Sequence, residues 1–179
     1  MLNLNLTEGL VTCEVCFMIE KSSDRGLAGI SRSFKEAILA HGSGGRLLFV
    51  GSPFTCLPFA EFLAYGIREL PYCIYFAPDG CPEKISRIER REGFGFSLGK
   101  LSGDRGFDVV VLLGGLAIER LQVDPVALKS RLAEVSHLGF IVGFCFQGVM
   151  NKPEWFEVFK FKYFIDADIS RVVLLEGEA

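Results

Sequence analysis

The sequence has little positive charge, few histidines and no long uninterrupted run of apolar residues. Its 179 residues include 19 Lys and Arg against 22 Asp and Glu, which gives a formal net charge of -3. Proteins that track phosphate backbones usually carry a basic surplus, so nucleic acid is not expected as a partner. No apolar run approaches the roughly 20 residues that a membrane-spanning helix needs, so no membrane is expected as a partner either.

The N-terminal stretch also lacks the features of a secretory signal. Residues 1–20 have no basic start, and Glu8, Glu14 and Glu20 interrupt their apolar residues. We therefore expect a cytoplasmic protein whose six cysteines are thiols. Cys13 and Cys16 have C-x-x-C spacing, but no second pair completes a zinc site, so no metal is expected. No motif identifies a cofactor or a catalysed reaction.

What the sequence does contain is a large apolar fraction. Hydrophobic residues make up 50% of the chain, and the mean hydropathy is +0.34. This is apolar for a soluble domain, and an apolar surplus is most simply covered in a homo-oligomer interface. The length suits one domain over residues 1–179.

Three short apolar runs predict the fold class. The runs at 47–50, 109–113 and 140–146 each break off into small, polar or cysteine residues. Such runs are typical of buried parallel strands with helices on both faces. The alternation of strands and helices predicts a doubly wound α/β fold, with a mainly parallel sheet in a three-layer α/β/α arrangement.

Hydrophobic periodicity and turn residues give the expected element bounds. Strands are predicted over 10–20, 46–51, 72–77, 108–113, 139–145, 159–164 and 171–175. Helices are predicted over 27–40, 57–70, 82–92, 125–137 and 153–156, with a glycine-rich loop over 93–107. Across the sheet, the expected order of the four central strands is 72–77, 46–51, 108–113, 139–145. The strand order then reverses between 46–51 and 108–113, where sheets of this kind bind ligands.

The first candidate site is the loop from Gly51 to Cys56, which joins a buried strand to a helix N-terminus. Free N–H groups and the helix dipole favour an anion there, and Ser52 and Thr55 add hydroxyl donors. One interpretation of the loop is therefore a cradle for a phosphate or carboxylate. The alternative is ordinary capping, in which Ser52 or Thr55 satisfies the helix end and nothing binds.

Other candidates follow the neighbouring strands. Gly114 and Gly115 allow a ligand or another loop to approach the backbone closely, although a tight turn also explains them. Asp79 lies where dinucleotide-binding folds hold a ribose, but Pro78-Asp79-Gly80 is a strong turn sequence, which is the favoured interpretation. Gln147 is expected at the wall of the same crevice.

Cys56 is the candidate nucleophile, because a helix N-terminus lowers a thiol pKa. His41 and His137 are expected at the opposite rim of the sheet, so no general base is visible beside Cys56. The leading hypothesis is a binding site for a small anionic metabolite or nucleotide. The alternatives are an enzyme using Cys56 in the same crevice, and a homo-oligomeric assembly or regulatory protein with no small ligand.

The chain also resembles an uncharacterised archaeal family that is common in methanogens. Trp155 and four segments carry the resemblance: 51–55, 113–117, 143–147 and 161–168. The resemblance implies an archaeal cytoplasmic protein with a Rossmann-like or flavodoxin-like core, and it implies no activity.

Overall fold

The computed structural model describes residues 18–42, 44–169 and 174. Within them, seven strands form one sheet: β1 (Gly45–Gly51), β2 (Tyr72–Pro78), β3 (Ser86–Arg91), β4 (Gly95–Leu101), β5 (Val109–Leu113), β6 (Ile141–Phe146) and β7 (Phe161–Ala167). The helices are α1 (Gly26–Leu39), α2 (Leu57–Gly66), α3 (Pro125–Ala133) and α4 (Pro153–Val158). Short 3-10 turns span Pro82–Lys84, Gly114–Ala117 and Glu119–Leu121.

The strand order is β4-β3-β2-β1-β5-β6-β7. Strands β2, β1, β5, β6 and β7 are mutually parallel, whereas β3 and β4 form an antiparallel hairpin at one edge. The predicted order of the four central strands is confirmed. The sheet also places β7, predicted as an edge strand, at the other edge of the described sheet.

Helices cover both faces of the sheet, as the apolar runs predict. Side chains of α1 and α2, including Phe34 and Leu63, pack on one face with Leu47 and Phe49. On the other face, Leu128 of α3 joins a second apolar cluster, together with α4 residues and alternate residues of the central strands. The central strands are buried on both faces, which accounts for their continuous apolar sequence.

The helix predicted over 82–92 is wrong, and the loop predicted over 93–107 is wrong for residues 95–101. The chain forms the β3–β4 hairpin there, and the turn is closed by a 3.1 Å bond from the Phe94 N–H to the Arg91 carbonyl. Buried Ser86 and Ile88 alternate with exposed Arg87 and Glu89 in β3. An edge hairpin has one solvated face, so its polar residues resemble those of a surface helix.

Other bounds shift by a few residues. Helix α2 ends at Gly66 rather than at residue 70, and α3 ends at Ala133. Helix α3 begins as predicted, since the Asp124 carboxylate accepts hydrogen bonds from the amides of Val126 and Ala127 at 3.0 and 3.4 Å. The strands predicted over 10–20 and 171–175, and the Cys13–Cys16 pair, lie wholly or almost wholly outside the described residues.

Candidate functional site

The reversal of strand order lies between β1 and β5, which are adjacent and parallel. From β1 the chain passes to α2 on one face of the sheet, and from β5 it leads to α3 on the other. The loop after β1 and the glycines after β5 therefore meet at the carboxyl ends of the strands, where they were expected.

These two loops are in direct contact. A Cβ added to Gly115 overlaps the Cys56 Sγ and lies 2.8 Å from the Thr55 Oγ1. A Cβ on Gly51 lies 2.5 Å from that of Cys56. The lack of side chains at Gly51 and Gly115 thus lets the loops close on each other. Gly114 faces away from them, because its added Cβ lies 2.6 Å from the Cβ of Cys145.

The N-terminus of α2 has no side-chain cap. Cys56 is the N-cap residue, and no side chain accepts a hydrogen bond from the first turn. The first intrahelical bond runs from the Ala60 N–H to the Cys56 carbonyl at 2.9 Å, so the amides of Leu57 and Phe59 precede it. Capping by Ser52 or Thr55 is therefore not the role that the structure shows for these hydroxyls.

The Cys56 thiol does not have the lowered pKa that its helix position predicts. Cys56 is 4% exposed, and this burial raises the pKa of its thiol. The Thr55 hydroxyl, 3.7 Å from the sulfur, and the backbone N–H groups of Ser52 and Gly115 act in the opposite direction, but burial outweighs them. The negative charge of Asp79 raises the pKa further. The thiol is therefore neutral near pH 7.

Both histidines are remote from this thiol, because His41 precedes β1 and His137 precedes β6, at the amino ends of these strands. The His41 Nδ1 lies 3.0 Å from the hydroxyl of Tyr72, the first residue of β2. That residue is at the amino ends of the parallel strands, whereas Cys56 follows the carboxyl end of β1. His41 is therefore at the opposite end of the sheet from Cys56, as predicted from the sequence.

Asp79 is at the edge of a separate cavity of about 580 Å³. Its backbone N–H donates to the Gly51 carbonyl at 2.9 Å, and its φ of 51° fits the predicted turn. The cavity is bordered by the carboxylates of Asp79, Glu83, Asp124 and Glu134 and by a single guanidinium, that of Arg131. An excess of carboxylates favours donor groups such as hydroxyls or amines over an anion.

Gln147 lies at the carboxyl end of β6, but it is tied to the chain after β7. Its side-chain amide donates to the Ile169 carbonyl at 3.4 Å, and its backbone N–H donates to the Ala167 carbonyl. No hydrogen bond among the described residues joins it to Ser52 or Thr55. The hydrogen bonds of Gln147 thus tie it to β7 rather than to the loop after β1.

Sequence reasoning missed the carboxylate of Asp166, which organises this end of β6. Its Oδ1 accepts hydrogen bonds from the Gly148 N–H at 2.9 Å and from the Cys145 thiol at 3.3 Å. Burial, together with the nearby Asp166 charge, raises the pKa of Cys145 to about 12. An acidic residue at the end of a predicted strand is the signal that points to Asp166.

Among the residues that the structure describes, no cluster of His, Cys, Asp or Glu side chains is arranged to hold a metal ion. None of the described helices is both long enough and apolar enough to cross a membrane.

The fold and this site define a class: an open, mainly parallel α/β protein. At the reversal of its strand order (the switch point), the loop after β1 and the glycines after β5 pack closely around a neutral thiol. The chain belongs to the family described as "Uncharacterized protein conserved in archaea (DUF2124)", whose model matches residues 25–170. The archaeal resemblance expected from the sequence is thereby confirmed.

Relatives from methanogens agree with this assignment. An uncharacterized protein of Methanocaldococcus jannaschii is 29% identical over 146 residues, which are 82% of this chain and 88% of that protein. Another, from Methanothermobacter thermautotrophicus, is 31% identical over 151 residues, 84% of this chain and 94% of that protein. The crystal structure of a protein of unknown function from M. thermautotrophicus has a TM-score of 0.79 and 30% identity, covering 90% of this chain and 100% of that one.

Proposed function

We propose that the protein binds a small metabolite through an anionic group, a phosphate or a carboxylate, at the carboxyl ends of β1 and β5. A nucleotide is the leading ligand class. The observation that carries the proposal is the N-terminus of α2, which lies at the switch point without a side-chain cap. Among the described residues no acceptor is hydrogen-bonded to the amides of Leu57 and Phe59, which can therefore donate to an anion.

The charges around the site restrict how a ligand lies. The carboxylates of Asp79 and Asp166 flank the two thiols at this end of the sheet. An anionic group is therefore favoured over the first turn of α2, beside the partly exposed Thr55 and above the buried Ser52, and disfavoured in the acidic cavity. Hydroxyl groups of the same ligand, such as those of a ribose, match Asp79 as hydrogen-bond acceptor.

A thermal-shift screen with nucleotides, S-adenosylmethionine and flavins tests this proposal. A ligand with a concentration 100-fold above its Kd stabilises the native state by about 2.7 kcal/mol. Thr55→Val removes the hydroxyl at nearly constant shape and is expected to weaken binding about fivefold, the loss of one hydrogen bond. Ser130→Ala, which removes an exposed hydroxyl on α3, is the matched control.

Two results count against the proposal. One is a flat response across the whole panel. The other is a ligand whose affinity falls equally in Thr55→Val and Ser130→Ala, because such a ligand does not contact the loop after β1.

An enzyme that uses Cys56 as nucleophile is the less favoured alternative, since the thiol is buried and protonated. Iodoacetamide labelling at pH 7.5 separates the two interpretations. We expect Cys56 to react at least about 100-fold more slowly than exposed Cys73, because both burial and the raised pKa suppress the thiolate. Rapid labelling of Cys56 contradicts the packing role.

Self-association is a second candidate, and the observation that favours it is the exposed apolar surface of the β3–β4 hairpin. Phe94 is 87% exposed and Leu101 is 70% exposed, both at the edge of the described sheet. Light scattering of the wild type and of Phe94→Ser tests this. A dimer that the substitution weakens supports the candidate, with Phe54→Ser as control for an equally exposed ring (92%). A monomeric wild-type protein contradicts self-association.

A further inference from the structure

A cleft opens between β2 and β3 at the end of the sheet opposite the candidate site. The two strands pair only over Ile74–Phe76 of β2 and Ser86–Ile88 of β3. Strand β2 nevertheless begins at Tyr72, and β3 continues to Arg91. The strands continue without pairing beyond Ile74 and Ile88, and a cavity of about 420 Å³ lies between this region and the end of α2.

The lining of this cleft is apolar at its base. Ile67, Ile74 and Ile88 are all nearly fully buried and belong to the core cluster beneath α1 and α2. The half-buried ring of Phe96, on β4, packs against the same cluster and also lines the cleft. The isoleucines form a closed floor, and the partly exposed Leu70, Tyr72 and Phe96 present the apolar surface that suits the body of a small molecule.

The rim of the cleft is basic. Arg68, from the turn after α2, and Arg87 and Arg90, from β3, line it together with one carboxylate, Glu89. Three guanidinium groups and one carboxylate give the lining residues a formal charge of +2, which the neighbouring Glu69 lowers to +1. Arg68 stacks on the Tyr65 ring at 4.3 Å and lies 3.8 Å from the Glu69 carboxylate.

The two arginines of β3 are not in close ion pairs, although the charge of Arg87 helps to lower the pKa of the nearby Asp104 carboxyl. Among the described residues, neither Arg87 nor Arg90 forms a salt bridge within 4.0 Å, although other surface cations do, such as Arg32 with Asp24. An Nη2 group of Arg87 instead donates to the Sγ of Cys73, an exposed thiol of the same cleft, at 3.8 Å. Guanidinium groups in this setting favour an anion with two or more acceptor oxygens.

We propose that this cleft binds a small organic dianion with an apolar body, the chemistry of an aryl or alkyl phosphate or of an aromatic dicarboxylate. Its anionic group pairs with the rim arginines, and its apolar body covers Leu70, Tyr72 and Phe96, the partly exposed apolar residues of the lining. The site is at the amino end of β2, so it is separate from the loop after β1 and goes beyond the function proposed above.

Calorimetric titration with simple probes tests each part of the recognition. Phenyl phosphate carries both the charge and the body, inorganic phosphate carries only the charge, and benzyl alcohol carries only a similar body. We expect phenyl phosphate to bind at least about tenfold more tightly than either of the others. Isophthalate in place of phenyl phosphate shows whether carboxylates serve as well as phosphate. Equal binding of phenyl phosphate and inorganic phosphate, or no binding by phenyl phosphate and isophthalate, overturns the proposal.

Substitutions on one strand provide matched controls. Arg87→Gln and Arg90→Gln each remove one rim charge and are expected to weaken phenyl phosphate binding about tenfold, the loss of a charge-assisted hydrogen bond. Arg91→Gln makes the same change at an exposed β3 residue outside the cleft lining and is expected to have less than about a twofold effect. An equally large loss of phenyl phosphate affinity in Arg91→Gln indicates general charge attraction and contradicts a specific site in the cleft.

The thiol in the cleft gives a test on the unaltered protein. Saturating phenyl phosphate is expected to slow alkylation of Cys73 at least about fivefold, because the ligand covers the thiol. The half-exposed Cys81, outside this cleft, serves as the internal control and keeps its rate. Unchanged labelling of Cys73 overturns the proposal. Thr55→Val leaves phenyl phosphate binding unaffected, so this proposal and the function at β1 fail or succeed separately.

Discussion

The two ends of the parallel sheet differ in packing and in charge. At the carboxyl ends, Gly115 and the loop after β1 are in contact, and Cys56 and Cys145 are buried thiols flanked by carboxylates. At the amino end of β2, the strands separate and arginines line an open cleft. The topology of a parallel sheet indicates where a ligand site is favoured, but the local packing decides how much space and which charge that site has.

The largest expected effect concerns the contact between the two switch-point loops. Gly115→Ala places a Cβ against the Cys56 sulfur and is expected to lower the free energy of unfolding by about 1–3 kcal/mol. This corresponds to a fall in Tm of about 3–10 °C. Gly103→Ala is the control, since a Cβ there meets no atom within 4 Å, and should change stability by less than about 0.5 kcal/mol.

A double substitution sharpens this result. Removing the sulfur with Cys56→Ala is expected to make Gly115→Ala less costly, since the two changes involve the same contact. If the costs of Gly115→Ala and Cys56→Ala simply add, the close packing inferred for these loops is wrong.

The next effect is a dependence of stability on alkaline pH. The Cys145 pKa is about 12 in the native state, against an ordinary value of 9.0, so the unfolded chain loses this proton first as the pH rises. The contribution of the Cys145 thiol to the free energy of unfolding is fully present below pH 9. It is lost toward pH 12, at about 1.4 kcal/mol per pH unit. Urea unfolding from pH 8 to 10.5 measures it. Cys145→Ala should flatten the slope, and Cys73→Ala, at an exposed thiol, should leave it unchanged.

The smallest effect is expected in the basic cleft, where function rather than stability depends on the charges. Arg90→Gln removes one of three like charges, and Arg90 forms no salt bridge with the described residues. We expect the free energy of unfolding to change by less than about 0.5 kcal/mol. A loss above about 1 kcal/mol shows that Arg90 is a structural residue.

The same contrast explains how much of the molecule could be predicted from the sequence. The burial of the central strands on both faces follows from their continuous apolar runs, and their order follows from the alternation of strands and helices in a doubly wound fold. The meeting of the loop after β1 with Gly115 follows from that order. The raised pKa of Cys56 could not be predicted from the strand order, because this pKa depends on how closely a distant segment packs over the sulfur.

The cleft could not be predicted either, and the reason is different. Its arginines belong to a segment whose mixed charges favour a surface helix, and a helix places Arg87 and Arg90 in solvent. Only the hairpin, through its short pairing with β2, brings them beside the end of α2. Edge strands with one polar face give a weak periodic signal, so the sites built on them are hidden as well.

The most direct test of the central claim is an amide NMR titration of the protein with AMP, NAD and FMN in turn. The account predicts that at least one of them shifts the amides of Leu57, Phe59 and Gly115 saturably, because its anionic group lies over the first turn of α2. If none of them shifts these amides, or if the shifts are confined to β3 around Arg87 and Arg90, the carboxyl ends of the sheet are not the nucleotide site.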